Sequence, residues 1–162
     1  MEFVANYYEK HKEEPIEEYL IKDDSIAKTL EAQVNFWLNK ITSHSYELQT
    51  KKVSSTIVTA SYKIDGLEFK PSNIGVGVSY IASILIACLS ACKDTILIIE
   101  NPEIHLHPRS QAMIGKFFAF IASRGMQIIV ETHNDHFINK IRYEVYKDQG
   151  YNHSLQNIKN KV

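Results

Sequence analysis

The sequence predicts an α/β domain, a mostly parallel sheet flanked by helices, preceded by a helix and a β-hairpin. Three observations carry this. Residues 95–99 and 127–130 are short aliphatic runs, the pattern of strands covered on both faces. Residues 111–122 between them are helical, so the span is a βαβ unit whose two strands run parallel. Ahead of that unit, residues 79–91 form a helix so apolar all round that it must be buried.

Taken in order, the elements have these causes. The first 24 residues hold three Lys and eight Asp or Glu, which reads as a solvated acidic lead-in or helix surface. Ile26, Leu30, Val34, Trp37, Leu38 and Ile41 recur at three and four residues, predicting an amphipathic helix over 25–41 with Ser25 as N-cap. Residues 52–64 are rich in Val, Ile, Thr and Tyr. Asp65-Gly66 then offers a tight turn before 67–69, which predicts the hairpin.

After Pro71 a Gly-containing loop, 73–77, leads into the apolar helix. Cys88 and Cys92 lie four apart within the apolar segment, on one helical face, as buried structural thiols and not as a CxxC pair. Pro108 suits a first helical turn, and Arg124-Gly125 ends that helix. A last helix starts near Asn134 or Asp135 and buries Phe137, Ile138, Ile141 and Val145. The polar tail beyond Gly150 is expected to fray.

The whole chain, 162 residues with 44% apolar content, suits one domain. It divides into a lead-in over 1–70, a core over 71–145 and a polar tail over 146–162. A net charge of −1 advertises no nucleic-acid footprint, although a local patch is compatible with it. The longest apolar run, 76–91, is broken by serines and too short for a membrane span, and the N-terminus has no signal pattern. A soluble cytoplasmic protein is expected.

Ligands of parallel α/β sheets gather at the carboxyl ends of the strands. Here the first strand runs into Glu100-Asn101-Pro102-Glu103-Ile104-His105-Leu106-His107-Pro108, and the second into Glu131-Thr132-His133-Asn134-Asp135-His136. Neighbouring strands would stand about 5 Å apart, and one intervening strand would make that roughly 10 Å. Either spacing lets Glu100 and His133 face one ligand.

ILIIENPEIHLHP resembles the Walker B strand and D-loop of the SMC, RecF and overcoming-lysogeny-defect branch of ABC-type AAA ATPases. IIVETHNDHFINKIR resembles that branch's H-switch strand and following helix, and NIGVGVSYI is similar to its variant signature motif. Order and spacing agree over about 72–142. The resemblance implies the C-terminal half of a P-loop NTPase domain that uses ATP and Mg²⁺.

It also implies roles. Glu100 would position Mg²⁺ through a water ligand, because Mg²⁺ is a hard cation that retains waters and is typically held through one or two carboxylates plus phosphate oxygens. Asn101 stands where a water-polarising glutamate is usual; a carboxamide orients water but accepts no proton at neutral pH. Glu103 could substitute as base, and His133 would contact the γ-phosphate or orient water. Asn73, Gly75, Gly77 and Ser79 would serve ATP held by the opposite protomer, and the D-loop residues His105 and His107 would lie across the same homodimer interface. No GxxxxGK[ST] occurs, so the phosphate cradle must come from a P-loop half. A longer protein, a split ATPase and a degenerate half used for interaction each account for this. Two other readings are a non-catalytic dimerisation module and a metal-dependent hydrolase built on Glu103, His105, His107, His133 and His136.

Overall fold

A computed structural model describes residues 2–54 and 57–159, with side chains described for 4–54 and 57–147. The elements run α1 (Glu2–His11), α2 (Leu30–Thr42), β1 (Glu47–Lys52), β2 (Val58–Ile64), β3 (Leu67–Phe69), α3 (Val76–Leu89), β4 (Ile96–Glu100), α4 (Pro108–Ser123), β5 (Gln127–Glu131) and α5 (Asp135–Lys159). Short 3-10 turns occupy Glu18–Leu20 and Pro71–Asn73. The α/β class with a parallel pair is as expected: β4 and β5 are parallel, with Ile98 opposite Ile129.

The hairpin forms at Asp65-Gly66, both at positive φ (49° and 85°), the geometry a two-residue turn between twisted strands requires. Two strands replace the single one expected over 52–64. β1 begins at Glu47, and β1, β2 and β3 form an antiparallel meander in which Tyr62 faces both Leu48 and Phe69.

Helix α2 starts later than expected, because Thr29 and not Ser25 caps it, its Oγ1 accepting from Ala32 N at 3.4 Å. Asp23 claims Ser25 instead, accepting from its N (3.0 Å) and Oγ (2.6 Å) in a local turn that side-chain acceptors favour over helix. Ile26 therefore lies outside the helix. At the other junction α3 begins three residues early, at Val76, and stops at Leu89. Cys88 is buried as expected, but Cys92 falls beyond the helix and is exposed.

The core is helical. Trp37 of α2 meets Phe117 of α4 edge-on and packs tilted against Phe120, and Phe118 of α4 meets Phe137 of α5 edge-on. Gly115 permits that α4–α5 approach, since a Cβ there would come within 2.9 Å of the Phe137 carbonyl. In α5, Phe137 is buried and Ile138 and Ile141 are half-buried, but Val145 is exposed, and the helix continues through the expected tail to Lys159. Among the described residues no helix is long and apolar enough to cross a membrane.

The two parallel strands depart from expectation in one respect. Leu97, Ile99, Ile128 and Val130 face the core, while Ile96, Ile98 and Ile129 are exposed, Ile98 at 73%. One face of the sheet is open.

Candidate functional site

The carboxyl ends of β4 and β5 are direct neighbours, with no strand between them. Glu100 is the register partner of Glu131, and Asn101 N donates to the Glu131 carbonyl at 2.8 Å, continuing the ladder past the strand end. Both carboxylates are exposed, and His133, two residues beyond Glu131, is exposed too.

Asn101 itself sits at φ 45°, in the left-handed region. Apart from glycine, asparagine enters that region most readily. The backbone thus supplies a conformational reason for Asn at a position where the resemblance leads one to expect glutamate. His105 is also left-handed, at φ 60°, and Ile104 N to Asn101 O (3.0 Å) and Leu106 N to Glu103 O (3.2 Å) close the loop into tight turns.

Glu103 points inward. It is 7% exposed, its Oε1 accepts from Thr132 Oγ1 at 2.6 Å, and its Oε2 has no hydrogen-bond partner among the described residues. Thr132 Oγ1 in turn accepts from Asn134 N (3.1 Å). Asn134 Oδ1 accepts from Phe137 N (3.0 Å), capping α5, while its Nδ2 donates to Gln111 Oε1 (2.9 Å). Gln111 Nε2 completes the chain by donating to the Leu106 carbonyl at 3.0 Å. The loop after β4 and the loop after β5 are therefore one hydrogen-bonded unit. Sequence reasoning missed Thr132 and Gln111 as members. Thr132 stood within the polar strand end, but nothing local marks Gln111.

On the other side of the 101–107 loop, Gly75, Gly77, His105 and His107 line one cavity of about 330 Å³, joined by His44 and Tyr46 from the α2–β1 connection. The two glycines do different work. Gly75 takes φ 84° with open space around it. Gly77 is a contact point: a Cβ there would lie 2.8 Å from the His105 carbonyl oxygen and 2.9 Å from Leu106 Cδ2, so its small size lets α3 seat against the loop. Asn73 is exposed in its 3-10 turn, its Oδ1 accepting from Ser72 Oγ. Ser79 does not join the cavity; it is 2% exposed and turned into the core, because helical spacing from Gly77 carries it round to the buried face.

His107 caps α4, its Nδ1 accepting from Arg109 N at 3.4 Å, and His44 Nδ1 donates to the Thr42 carbonyl at 2.8 Å. The alternative hydrolase cluster of Glu103, His105, His107, His133 and His136 is not assembled, Glu103 being turned to Thr132 and His107 to the Arg109 N–H. Among the described residues no three His, Cys, Asp or Glu side chains are placed to hold a metal ion. Glu100 and Glu131, register partners with exposed side chains, offer hard oxygen donors of the kind that hold Mg²⁺ through one or two carboxylates and water.

A family model described as an AAA ATPase domain matches residues 2–138. No curated protein matches. Three solved structures share the fold at 12% identity, each over 68% of this chain with a TM-score of 0.54. One is an SMC head bound to the C-winged helix domain of ScpA, of which this chain covers 36%. Another is an SMC ATPase described for ATP-driven dimerization and DNA-stimulated activation, covered over 71% of its length. The third is an Smc head domain with an extended coiled coil bound to the C-terminal domain of ScpA, from Pyrococcus furiosus, covered over 29%.

Proposed function

Because the chain belongs to the AAA ATPase domain family, we propose that it is the signature, Walker B, D-loop and switch half of an ABC-type ATPase. In this reading it works as an ATP-hydrolysing dimer switch once a P-loop half supplies the β/γ-phosphate cradle. The observation that carries the reading is the register pairing of Glu100 with Glu131 at adjacent parallel strand tips, with His133 two residues on. Glu100 would hold Mg²⁺ at the nucleotide, and His133 would orient the attacking water or the γ-phosphate. Bound Mg²⁺ supplies charge neutralisation at the phosphates.

Asn101 orients water without taking its proton. The buried Glu103 fixes the loop through Oε1, and its Oε2 is unpartnered among the described residues. Backbone N–H groups at the start of α3, reached through Gly75 and Gly77, serve ATP of the opposite protomer, with His105 and His107 at the same interface.

The open sheet face supports the need for a further unit. Parallel sheets are ordinarily covered on both faces, and Ile96, Ile98 and Ile129 are not. A P-loop half, from the same longer protein or from a partner subunit, would cover it.

The test is reconstitution. This chain alone should bind no ATP by calorimetry, and micromolar affinity would overturn the reading. With the P-loop half present, ATP and Mg²⁺ should drive dimerisation in sedimentation velocity. His133→Ala should then cut turnover while leaving ATP affinity largely intact. A second reading, a non-catalytic dimerisation module, is favoured by Asn101 and by the lack of a GxxxxGK[ST] loop in this sequence, and it expects dimers without nucleotide.

A further inference from the structure

The strand tips carry one carboxylate, Glu131, to which the sequence motifs give no role. Side chains alternate along a strand, so register partners on parallel neighbours that share an exposure pattern share a face. On β4 the exposed positions are Ile96, Ile98 and Glu100, and on β5 they are Gln127, Ile129 and Glu131. Glu131 therefore stands beside Glu100 on the open face of the sheet, one strand spacing of about 5 Å away. Both lie at the carboxyl end, where ligands of parallel α/β sheets gather.

The residues that follow keep the alternation. Thr132 turns inward, where its hydroxyl donates to the buried Glu103, so Glu131 and the exposed His133 on either side of it face outward. The open face thus ends in Glu100, Glu131 and His133.

The other groups at this end of the sheet are unsuited to take a proton from water. The Asn101 carboxamide accepts none at neutral pH. Glu103 is 7% exposed and bonded to Thr132, on the core side of the β5 tip, away from the face that carries Glu100. Asp135 opens α5, where the helix dipole favours its negative charge. Glu100 is committed to Mg²⁺ in the ATPase reading.

We propose that Glu131 is the water-activating carboxylate, filling the role that Asn101 cannot, an assignment that rests on the ATPase reading of the same site. The water oxygen attacks the γ-phosphorus, and the bond from that phosphorus to the β,γ-bridging oxygen breaks, its electron pair leaving with ADP. One water proton passes to the Glu131 carboxylate, which returns it to solvent; the other stays on the new phosphate. His133, on the same side of the strand end, holds the water or the γ-phosphate in line. General-base assistance of this kind is worth roughly 10²–10⁴-fold in rate.

The experiment compares wild type, Glu131→Gln and Glu100→Gln in the protein joined with its P-loop half. ATP turnover is measured together with the Mg²⁺ dependence and the persistence of the ATP-bound dimer in sedimentation velocity. Glu131→Gln should cut kcat by at least about a hundredfold. Its dimer should form at the wild-type Mg²⁺ requirement and outlast that of wild type, because hydrolysis is what ends it. Glu100→Gln should instead raise the Mg²⁺ requirement. As Glu131 is exposed, Glu131→Gln should not lower the melting temperature of this chain.

A kcat close to wild type in Glu131→Gln would overturn the proposal. So would a loss accompanied by a raised Mg²⁺ requirement, which would make Glu131 a metal ligand, or a wild type that dimerises with ATP without hydrolysing it. A wild type that neither dimerises with ATP nor hydrolyses it would remove the ATPase reading itself, and this role with it.

Discussion

The hydroxyl of Tyr80 donates to the main-chain carbonyl of Glu100 across 2.5 Å. Tyr80 belongs to α3, the helix that opens on the glycine loop, and Glu100 ends β4, so the bond ties those two parts of the site together within one chain. Burial first, then the charges of Glu100 and Glu103, push the Tyr80 pKa up, which keeps the donor proton in place at neutral pH. Tyr80→Phe should lower stability by about 1 kcal/mol, a typical net hydrogen bond. In the completed ATPase it should reduce turnover more than ATP affinity. Thermal melts and steady-state kinetics give the two readings, and equal losses in both kinetic constants would argue against a link between helix and strand tip.

The two loop glycines should respond differently to the same substitution. Gly77→Ala forces a Cβ against backbone at 2.8 Å, so the α3 start or the 101–107 loop must shift, at about 1–3 kcal/mol. Gly75→Ala meets no atom but strains a residue at φ 84°, at about 1–2 kcal/mol. Denaturant unfolding measures both costs. Only Gly77→Ala should change the chemical shifts of His105 and His107.

Thr132→Val keeps the shape of the side chain but leaves the buried Glu103 carboxylate without its donor. The expected loss is about 1–3 kcal/mol, the penalty of a stranded buried acceptor. Asn134→Ala removes the α5 cap and the Gln111 bond, at about 1–2 kcal/mol. Since both residues belong to one network, the double variant should cost less than the sum of the singles. Strict additivity in chemical denaturation would mean that the two loops are not one unit.

Acid sensitivity should have an identifiable source in Glu9. Burial pushes its pKa up, but the Lys12 ammonium at 2.8 Å and the Thr50 hydroxyl outweigh this and hold it below the usual carboxylate range. A depressed folded pKa means that the stabilisation is present above the unfolded value of about 4.3 and is lost as pH falls through the folded value. Melting temperature against pH should therefore drop below about pH 4.3, and Glu9→Gln should be less stable at neutral pH with a shallower acid drop. Parallel curves for the two proteins would exclude Glu9 as a contributor.

Much of this molecule was legible locally. The aliphatic runs that became β4 and β5, Pro108 at the first turn of α4, Asp65-Gly66 in the hairpin and the halt at Gly125 each follow from backbone preference or a period that a few residues display. The same holds for the strand-tip placement of Glu100 and His133, because a strand's end and the residues after it are set by the chain itself. Even the start of α2 had a local cause, the competition of Asp23 for Ser25, although the periodicity pointed earlier.

Only the tertiary structure decided which way the side chains of the loops face. Glu103 turns in because Thr132, 29 residues away, waits there with a hydroxyl. Gly77 is required by a carbonyl of the 101–107 loop, and Ser79 belongs to the core because α3 packs on that side. The open face of β4 and β5 escaped detection for the same reason. A run of isoleucines records that a strand is apolar on both faces, whereas what covers each face is settled by contacts that no stretch of one chain encodes by itself.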